Sequence, residues 1–426
     1  MPEADMESTL TSNPVMEKFL ESIKAFETPL AQSAPQTVLN ARETLTVMNF
    51  PTTRLEDWKY TRTARISSEA WNINAGQSIA NIDAWRIPNL DAHVLVFVNG
   101  FFSAELSDKA EVSGAHIAHT LEDSNCSLRN DSLFNSLNAA YNTASLRIHI
   151  EKNTIVSKPI HILHITTGSQ SLAQVRIAIQ TEQSSSCHIV ESYISTSEEK
   201  SFSNRVLNVH VEENAELHYY KLQLENDAQF LINEDLIAVD NNARFTIHTL
   251  SIDGGWIRNT LNISLDGKNI EANLNGLYLP RRRQFVDNHT KVDHRFPHCN
   301  SNELYKGILF DASTGVFNGK VYVRPDAQKT NAYQSNSNIL MSNDAQMNSK
   351  PELEIYADDV KCSHGSTSGQ MDEQALFYLK SRGLSDDNAR KLLSTAFIQA
   401  VLDKIELEPI RAYAVSELIK RDLLFA

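Results

Sequence analysis

Few side chains in this 426-residue sequence stand close enough together to cooperate in chemistry. One group is His289, Asp293, His294, His298 and Cys299, which places imidazole, carboxylate and thiol within eleven residues. All three are metal ligands. The four-residue spacing of His294 and His298 would join two imidazoles on a helix, but Phe296-Pro297 between them opposes one. The group is therefore either a metal site or a set of chain corners and hydrogen-bonded core histidines. A second group is Asp358-Asp359-Val360-Lys361-Cys362-Ser363-His364-Gly365. In an extended strand residues two apart share a face, so Cys362 and His364 would present a thiol beside an imidazole. Such a pair can hold iron or zinc, and the imidazole can ease ionisation of the thiol. Two ligands make half of a four-ligand site. Either the pair is structural, or the missing ligands come from another subunit.

Other motifs fail on their chemistry. Gly315-Val316-Phe317-Asn318-Gly319-Lys320-Val321 resembles a Walker loop but is one residue short between its glycines. Val321 also stands where a magnesium-binding hydroxyl belongs. Gly365-Ser366-Thr367-Ser368-Gly369 has the outline of a nucleophile elbow, but its centre is Thr367 and no α/β sheet surrounds it. No GxGxxG, HExxH or EF-hand loop is present.

The composition narrows the class. Fifty-three acidic against 39 basic residues leave a net charge of −14, which repels phosphate backbones and anionic lipid. Nucleic-acid and membrane-surface roles are thereby disfavoured. No apolar run reaches the roughly 18 residues of a membrane span. Met1-Pro2-Glu3-Ala4-Asp5 lacks the basic and apolar regions of a secretory signal. Cys126, Cys187, Cys299 and Cys362 are too scattered for a disulfide framework. The expectation is a soluble, reduced, cytoplasmic protein.

Three regions must position these residues, and the boundaries fall at 1–90, 91–365 and 366–426. In the first, Met16, Phe19, Leu20, Ile23 and Phe26 recur at helical spacing, and Val38, Ala41, Leu45 and Val47 suggest a second helix before Pro51. Arg54-Leu55-Glu56-Asp57-Trp58-Lys59-Tyr60 follows, read as a packed Trp/Tyr pair with charged neighbours. The middle region is a long series of short strands, among them Val94–Val98, Leu146–Ile150, Ile160–Ile165, Val175–Ile179, His188–Ile194 and Val206–Val211. It continues through Leu217–Leu224, Phe230–Val239, Phe245–Ile252, Ile257–Leu265 and Ile270–Leu279. No helical pattern interrupts them, which excludes a βαβ fold. A sandwich closes after seven to nine strands, so the length of the series favours a β-helix. Twenty-one asparagines between residues 201 and 350 suit left-handed corners. The final region returns to helix: 373–382 stopped by Gly383, a helix capped by Ser385 with Ala389, Leu393, Phe397 and Val401 on its stripe, and a third opened by Pro409.

Pro351-Glu352-Leu353-Glu354-Ile355-Tyr356-Ala357 running into the Cys362/His364 segment closely resembles the C-terminal signature of the SufB/SufD family of iron–sulfur cluster assembly. Gly369-Gln370-Met371-Asp372 and Phe377-Tyr378-Leu379-Lys380-Ser381-Arg382-Gly383 carry the resemblance onward. It extends upstream through Tyr305–Leu309, Val316–Lys320, Ala327–Thr330 and Arg54–Thr61. Length, sparse cysteines and a helical N-terminal part place it nearer SufD than SufB. The resemblance implies a mainly β chain, a right-handed parallel β-helix flanked by N- and C-terminal helical regions. It also implies a scaffold rather than an enzyme, with no ATPase or transferase motif and no nucleotide of its own.

The partners implied are a SufB-like subunit and a SufC-like ATPase docking on the C-terminal helices. A cysteine desulfurase and its sulfur-transfer protein act indirectly, and the isolated chain could form a homodimer. A transient iron–sulfur cluster, or iron, would be held at the SufB–SufD interface. His364 matches the family's proposed histidine ligand, making it the metal-binding candidate, and Cys362 matches a neighbouring interface cysteine. No role carries over to His289, His294 or Cys299. ATP-driven SufC dimerisation would pull on residues 370–426 and open the site. The readings left beside it are a homodimeric or SufB-like scaffold, a plain interaction scaffold, and, least favoured, a β-helix carbohydrate-active enzyme, for which no paired carboxylates are evident.

Overall fold

The computed structural model describes residues 14–24, 36–109, 111–120 and 132–424; Phe26 and Cys126 lie outside them. From Ala144 to Gln370 the chain alternates strictly between two sheets, so that two strands and two corners make one coil. Eight such coils stack with parallel pairing throughout. The architecture is thus mainly β, a parallel β-solenoid with helices before and after it. All the strands expected from the sequence pattern lie within these coils or the strand His93–Val98 that precedes them.

The coil length drifts, from 26 residues between Phe230 and Trp256 to 32 between Val316 and Asn348. That drift hides the repeat from the sequence. Two features depart from a purely parallel helix. The strand His93–Val98 turns back on Phe101–Phe102, and Ala115–Thr120 pairs antiparallel with Ala144–Ile150. A helix, Leu133–Tyr141, also interrupts the strand series where none was expected. It is buried on every side, so it shows no amphipathic stripe; its signal is the Ser132 side chain accepting from Asn135 N–H.

Three large apolar cores and a small fourth one, at Val321, Val323, Ala327, Ala332 and Ala357, hold the coils among the described residues. The interior is filled by inward rows such as Leu146, Ile177, Leu207, Ile237 and Ile263. The N-terminal helices Pro14–Lys24 and Gln36–Val47 bury Met16, Phe19, Ile23, Ala41 and Leu45. The same core takes in the outward row Phe202, Phe230 and Trp256 of the nine-stranded sheet, which Phe285 extends. Trp71, fully buried against Phe202 and Phe230, donates its indole N–H to Ile66 O at 2.9 Å.

Of the C-terminal helices Glu373–Ser381, Asp386–Leu402 and Glu408–Lys420, the second and third cover the outer face of the ten-stranded sheet, and the first packs on the second. Ile398, Val401, Ile405, Ile410 and Leu418 lie there on Leu250, Leu277 and Ile308. Their boundaries have local causes. Gly383 takes φ +99°, the Ser385 hydroxyl accepts from Asn388 N–H, and Pro409 sits in a first turn where its missing N–H costs nothing.

The expected Trp/Tyr pair is not formed. Trp58 packs on Phe134, and the Arg258 guanidinium lies 3.9 Å over its ring, whereas Tyr60 is exposed. Asparagine also does more than turn corners. Asn214, Asn242 and Asn269 do take positive φ, but Asn204, Asn233, Asn259, Asn288, Asn336 and Asn338 are buried within strands.

Candidate functional site

The two ends of the solenoid differ, and the candidate residues Cys362 and His364 lie at the second. Gln346–Ile355 and Lys361–Gln370 are the last strands of their sheets, and nothing among the described residues pairs with their outer edges. Inward rows are read from register. Ala332, Gln334, Asn336 and Asn338 are all buried, and the residues stacked on them in the last strand are Cys362, His364, Ser366 and Ser368. Cys362 and His364 therefore share one face, as the two-residue spacing implied, at the mouth of the coil stack. His364 is exposed; Cys362 is half-buried beside Ala332, Val321 and Val323. Burial pushes the Cys362 thiol above its ordinary range, so binding a cation there must expel a proton.

The other histidine-rich segment is taken apart by strand alternation. His289 and Asp293 point outward from the strand Phe285–His294, while His294 points inward and is fully buried. His289 Nε2 lies 3.0 Å from Asp287, and His294 Nε2 lies 2.9 Å from Ser301 Oγ. Burial drives the His294 imidazole down to about 4, so it is neutral. His298 holds a corner at φ +65°. Burial raises the Asp293 carboxyl, but hydrogen bonds from Arg324 and Arg295 outweigh it and hold it below the usual range. The Cys299 thiol donates to Gly267 O at 3.1 Å in the interior core. Corners and hydrogen-bonded core histidines are what the segment provides. Among the described residues no three His, Cys, Asp or Glu side chains converge as metal ligands.

What the motif search missed is a polar column inside the coils. Glu191 and Asp235 receive Arg205, Lys221 donates to Asp235 at 2.5 Å, and Tyr219 donates to Glu191 at 2.8 Å; all five are buried. His164 Nε2 lies 3.1 Å from Glu191. Tyr193 then leads to Asn233, Asn259 and Asn288, each amide 3.0–3.2 Å from the next polar atom. Nearer the open end stand Glu303, Gln334, Tyr278, Asn336 and Asn338. The available signal was polar residues at alternate positions of otherwise apolar strands. Gly315–Val321 is part of the strand Thr314–Val323, and Gly365–Gly369 of the strand Lys361–Gln370, so neither is a loop of the kind its outline suggests.

Residues 164–397 match the family model described as the SUF system FeS cluster assembly SufBD core domain, and residues 15–162 match the SufBD N-terminal region. The chain is 29% identical over 405 residues to the iron–sulfur cluster assembly protein SufD of Escherichia coli, spanning 93% of this chain and 95% of that one. It is 31% identical over 392 residues to a SufBD family iron–sulfur cluster assembly protein of Synechocystis, covering 86% of both. Against SufD of Bacillus subtilis it is 26% identical over 286 residues, 66% of this chain and 65% of that one.

Proposed function

The chain belongs to the SufBD family of the SUF system for iron–sulfur cluster assembly, and from that membership we propose that it is the SufD-like scaffold subunit of a complex with a SufB-like chain and a SufC-like ATPase. The observation that carries the reading is the open coil end, where two bare strand edges flank an inward row holding Cys362 and His364. Bare edges recruit a strand from a partner, because their N–H and C=O groups lack partners in the isolated chain.

A SufB-like solenoid docked there completes the ligand set that two side chains leave half-filled. The nascent cluster, or its iron, is cargo. His364 supplies a nitrogen lone pair, and Cys362 supplies a thiolate once its proton has left. Imidazole binds iron more weakly than thiolate, which suits a ligand that must release its product. The C-terminal helices offer the ATPase a surface on which Phe377 and Tyr378 are 74% and 56% exposed. ATP-driven movement of those helices would reach the interface through residues 370–373, which link the last strand directly to the helix Glu373–Ser381. Sulfur would come from a cysteine desulfurase through its transfer protein.

The test is anaerobic co-expression with SufB-type and SufC-type partners, comparing wild type with His364→Ala. The expected result is an intact complex in both, with iron, sulfide and visible absorption kept only in wild type. Equal cluster in both would move the chemistry to the partner and leave this chain a purely structural scaffold. A chain that assembles with itself and not with the SufB-type partner would instead favour the homodimeric reading.

A further inference from the structure

The row behind His364 contains buried polar atoms that the fold does not use. Register places Leu274, Glu303, Gln334 and His364 directly over one another in four successive strands of the ten-stranded sheet. Glu303 and Gln334 are each 3% exposed. The Thr290 hydroxyl donates to Glu303 Oε2 at 2.7 Å, but Glu303 Oε1 has no hydrogen-bond partner. Gln334 Oε1 and Nε2 have no partner in good hydrogen-bond geometry either, although the Gln334 amide lies close enough to the Glu303 carboxyl to favour its ionised form. Each such orphan costs roughly 1–3 kcal/mol, so three in one row call for an explanation.

Space is reserved for them too. A Cβ on Gly319, in the facing strand, would stand 2.3 Å from Gln334 Nε2. Only glycine lets that amide lie across the interior.

We propose that Gln334 is a positioning residue for His364, joining its imidazole to the Glu303 carboxyl in a carboxyl–amide–imidazole relay. This deepens the function proposed above and rests on His364 being a ligand. A ligating histidine gives one nitrogen to the metal and must place the N–H of the other on an acceptor, which fixes the ring. In the relay His364 N–H donates to Gln334 Oε1, Gln334 Nε2–H donates to Glu303 Oε1, and Thr290 continues to donate to Glu303 Oε2. Every orphan atom in the row then has a partner, and none is left over. Among the described residues no cation offsets the burial of the Glu303 carboxyl, and the Tyr305 phenol two residues along the strand is kept neutral by burial.

The test uses the complex co-expressed anaerobically with its SufB-type and SufC-type partners, in wild type, Gln334→Leu, Gly319→Ala and His364→Ala forms. Loss of an outer-shell partner typically weakens metal binding by about 10–100-fold. Cluster loss to a chelator should therefore quicken by about that factor in Gln334→Leu, and in Gly319→Ala, where the new methyl displaces the amide. A second readout comes from the metal-free chain labelled with 15N-histidine, the His364 signal being assigned by its absence in His364→Ala. Wild type should show one ring tautomer and Gln334→Leu a mixture. Should Gln334→Leu fail to assemble, Gln334→Met carries the same two measurements. Wild-type cluster retention and an unchanged tautomer in the Gln334 variants, with cluster lost in His364→Ala, would overturn the relay while sparing the ligand. Cluster retained in His364→Ala would overturn the reading beneath it.

Discussion

The early coils, around residues 160–240, and the last coil, residues 346–370, are built from the same repeat but treat polar groups in opposite ways. In the early coils Arg205 and Lys221 are sealed in with Glu191 and Asp235, each charge meeting its opposite. In the last coil the inward row is Cys362, His364, Ser366 and Ser368, polar as well, but open to whatever binds there. Polar side chains inside a solenoid therefore do not by themselves mark a functional site. What separates the two regions is that the buried charges of the early coils meet their opposites, whereas the inward row of the last coil stands at the open end of the stack.

The sharpest way to break this comparison is to cut one member from each region. Removing one side of a buried ion pair strands the other and costs about 3–5 kcal/mol. Asp235→Ala leaves both Arg205 and Lys221 short of an acceptor, so the unfolding free energy read from urea titration should fall by that amount or the chain should fail to fold. His364→Ala, in contrast, should shift stability by no more than ~0.5 kcal/mol, the usual range for exposed positions, and Cys362→Ala, at a half-buried position, by less than Asp235→Ala. If the two classes of variant proved equally destabilising, the last coil would be a structural core like the rest.

Burial without a cation gives the next effect. Glu191 is fully buried, yet Arg205 with the help of His164 and Lys221 overcomes the burial and holds its carboxyl well below the usual range. Glu225 and Glu303 are equally buried without a cationic partner, and burial drives each up to about 7. An acid whose folded value lies above its unfolded one keeps full stability below the unfolded value. It loses stability as pH rises between the two. For Glu225 that window runs from 4.5 to about 7, and at about 1.4 kcal/mol per unit the loss is about 3 kcal/mol. Glu225→Gln, with Thr166 still its neighbour, should therefore raise the urea midpoint at pH 8 and change it little at pH 4.5. A gain of the same size at both pH values would show that charge burial is not the cause.

Much of this was legible in sequence, for physical reasons that also mark the limit. Strands announced themselves because the interior rows are apolar every second residue, and the two-residue spacing of Cys362 and His364 correctly gave them a common face. The same periodicity, applied to His289–Cys299, would have split that group: His289 and Asp293 differ from His294 by an odd number of residues and so face opposite ways. The helix Leu133–Tyr141 could not be read from amphipathicity, since it has no solvent face. Which coils neighbour one another is a matter of register, and corners of unequal length conceal it. The row from Glu303 to His364 spans 61 residues of sequence and became visible only when the coils were stacked.

The smallest effect tests the open edge itself. Lys361 N–H donates to Thr330 O, so alternation along the last strand sends the odd-numbered N–H groups inward to the strand Asn331–Leu340 and the even-numbered ones outward. Ser366→Pro thus removes one donor from the free edge and none from the ladder that holds the strand. In the isolated chain the unfolding free energy should change by less than about 1 kcal/mol, as for a proline tolerated at a sheet edge. Association with the SufB-type partner should weaken about tenfold, the equivalent of one lost hydrogen bond of about 1.4 kcal/mol. Thr367→Pro is the control, because its N–H faces the neighbouring strand and its loss should destabilise the chain itself. An unchanged partner affinity in Ser366→Pro would mean that the subunits meet through side chains, and that the bare edge is left to solvent even in the complex.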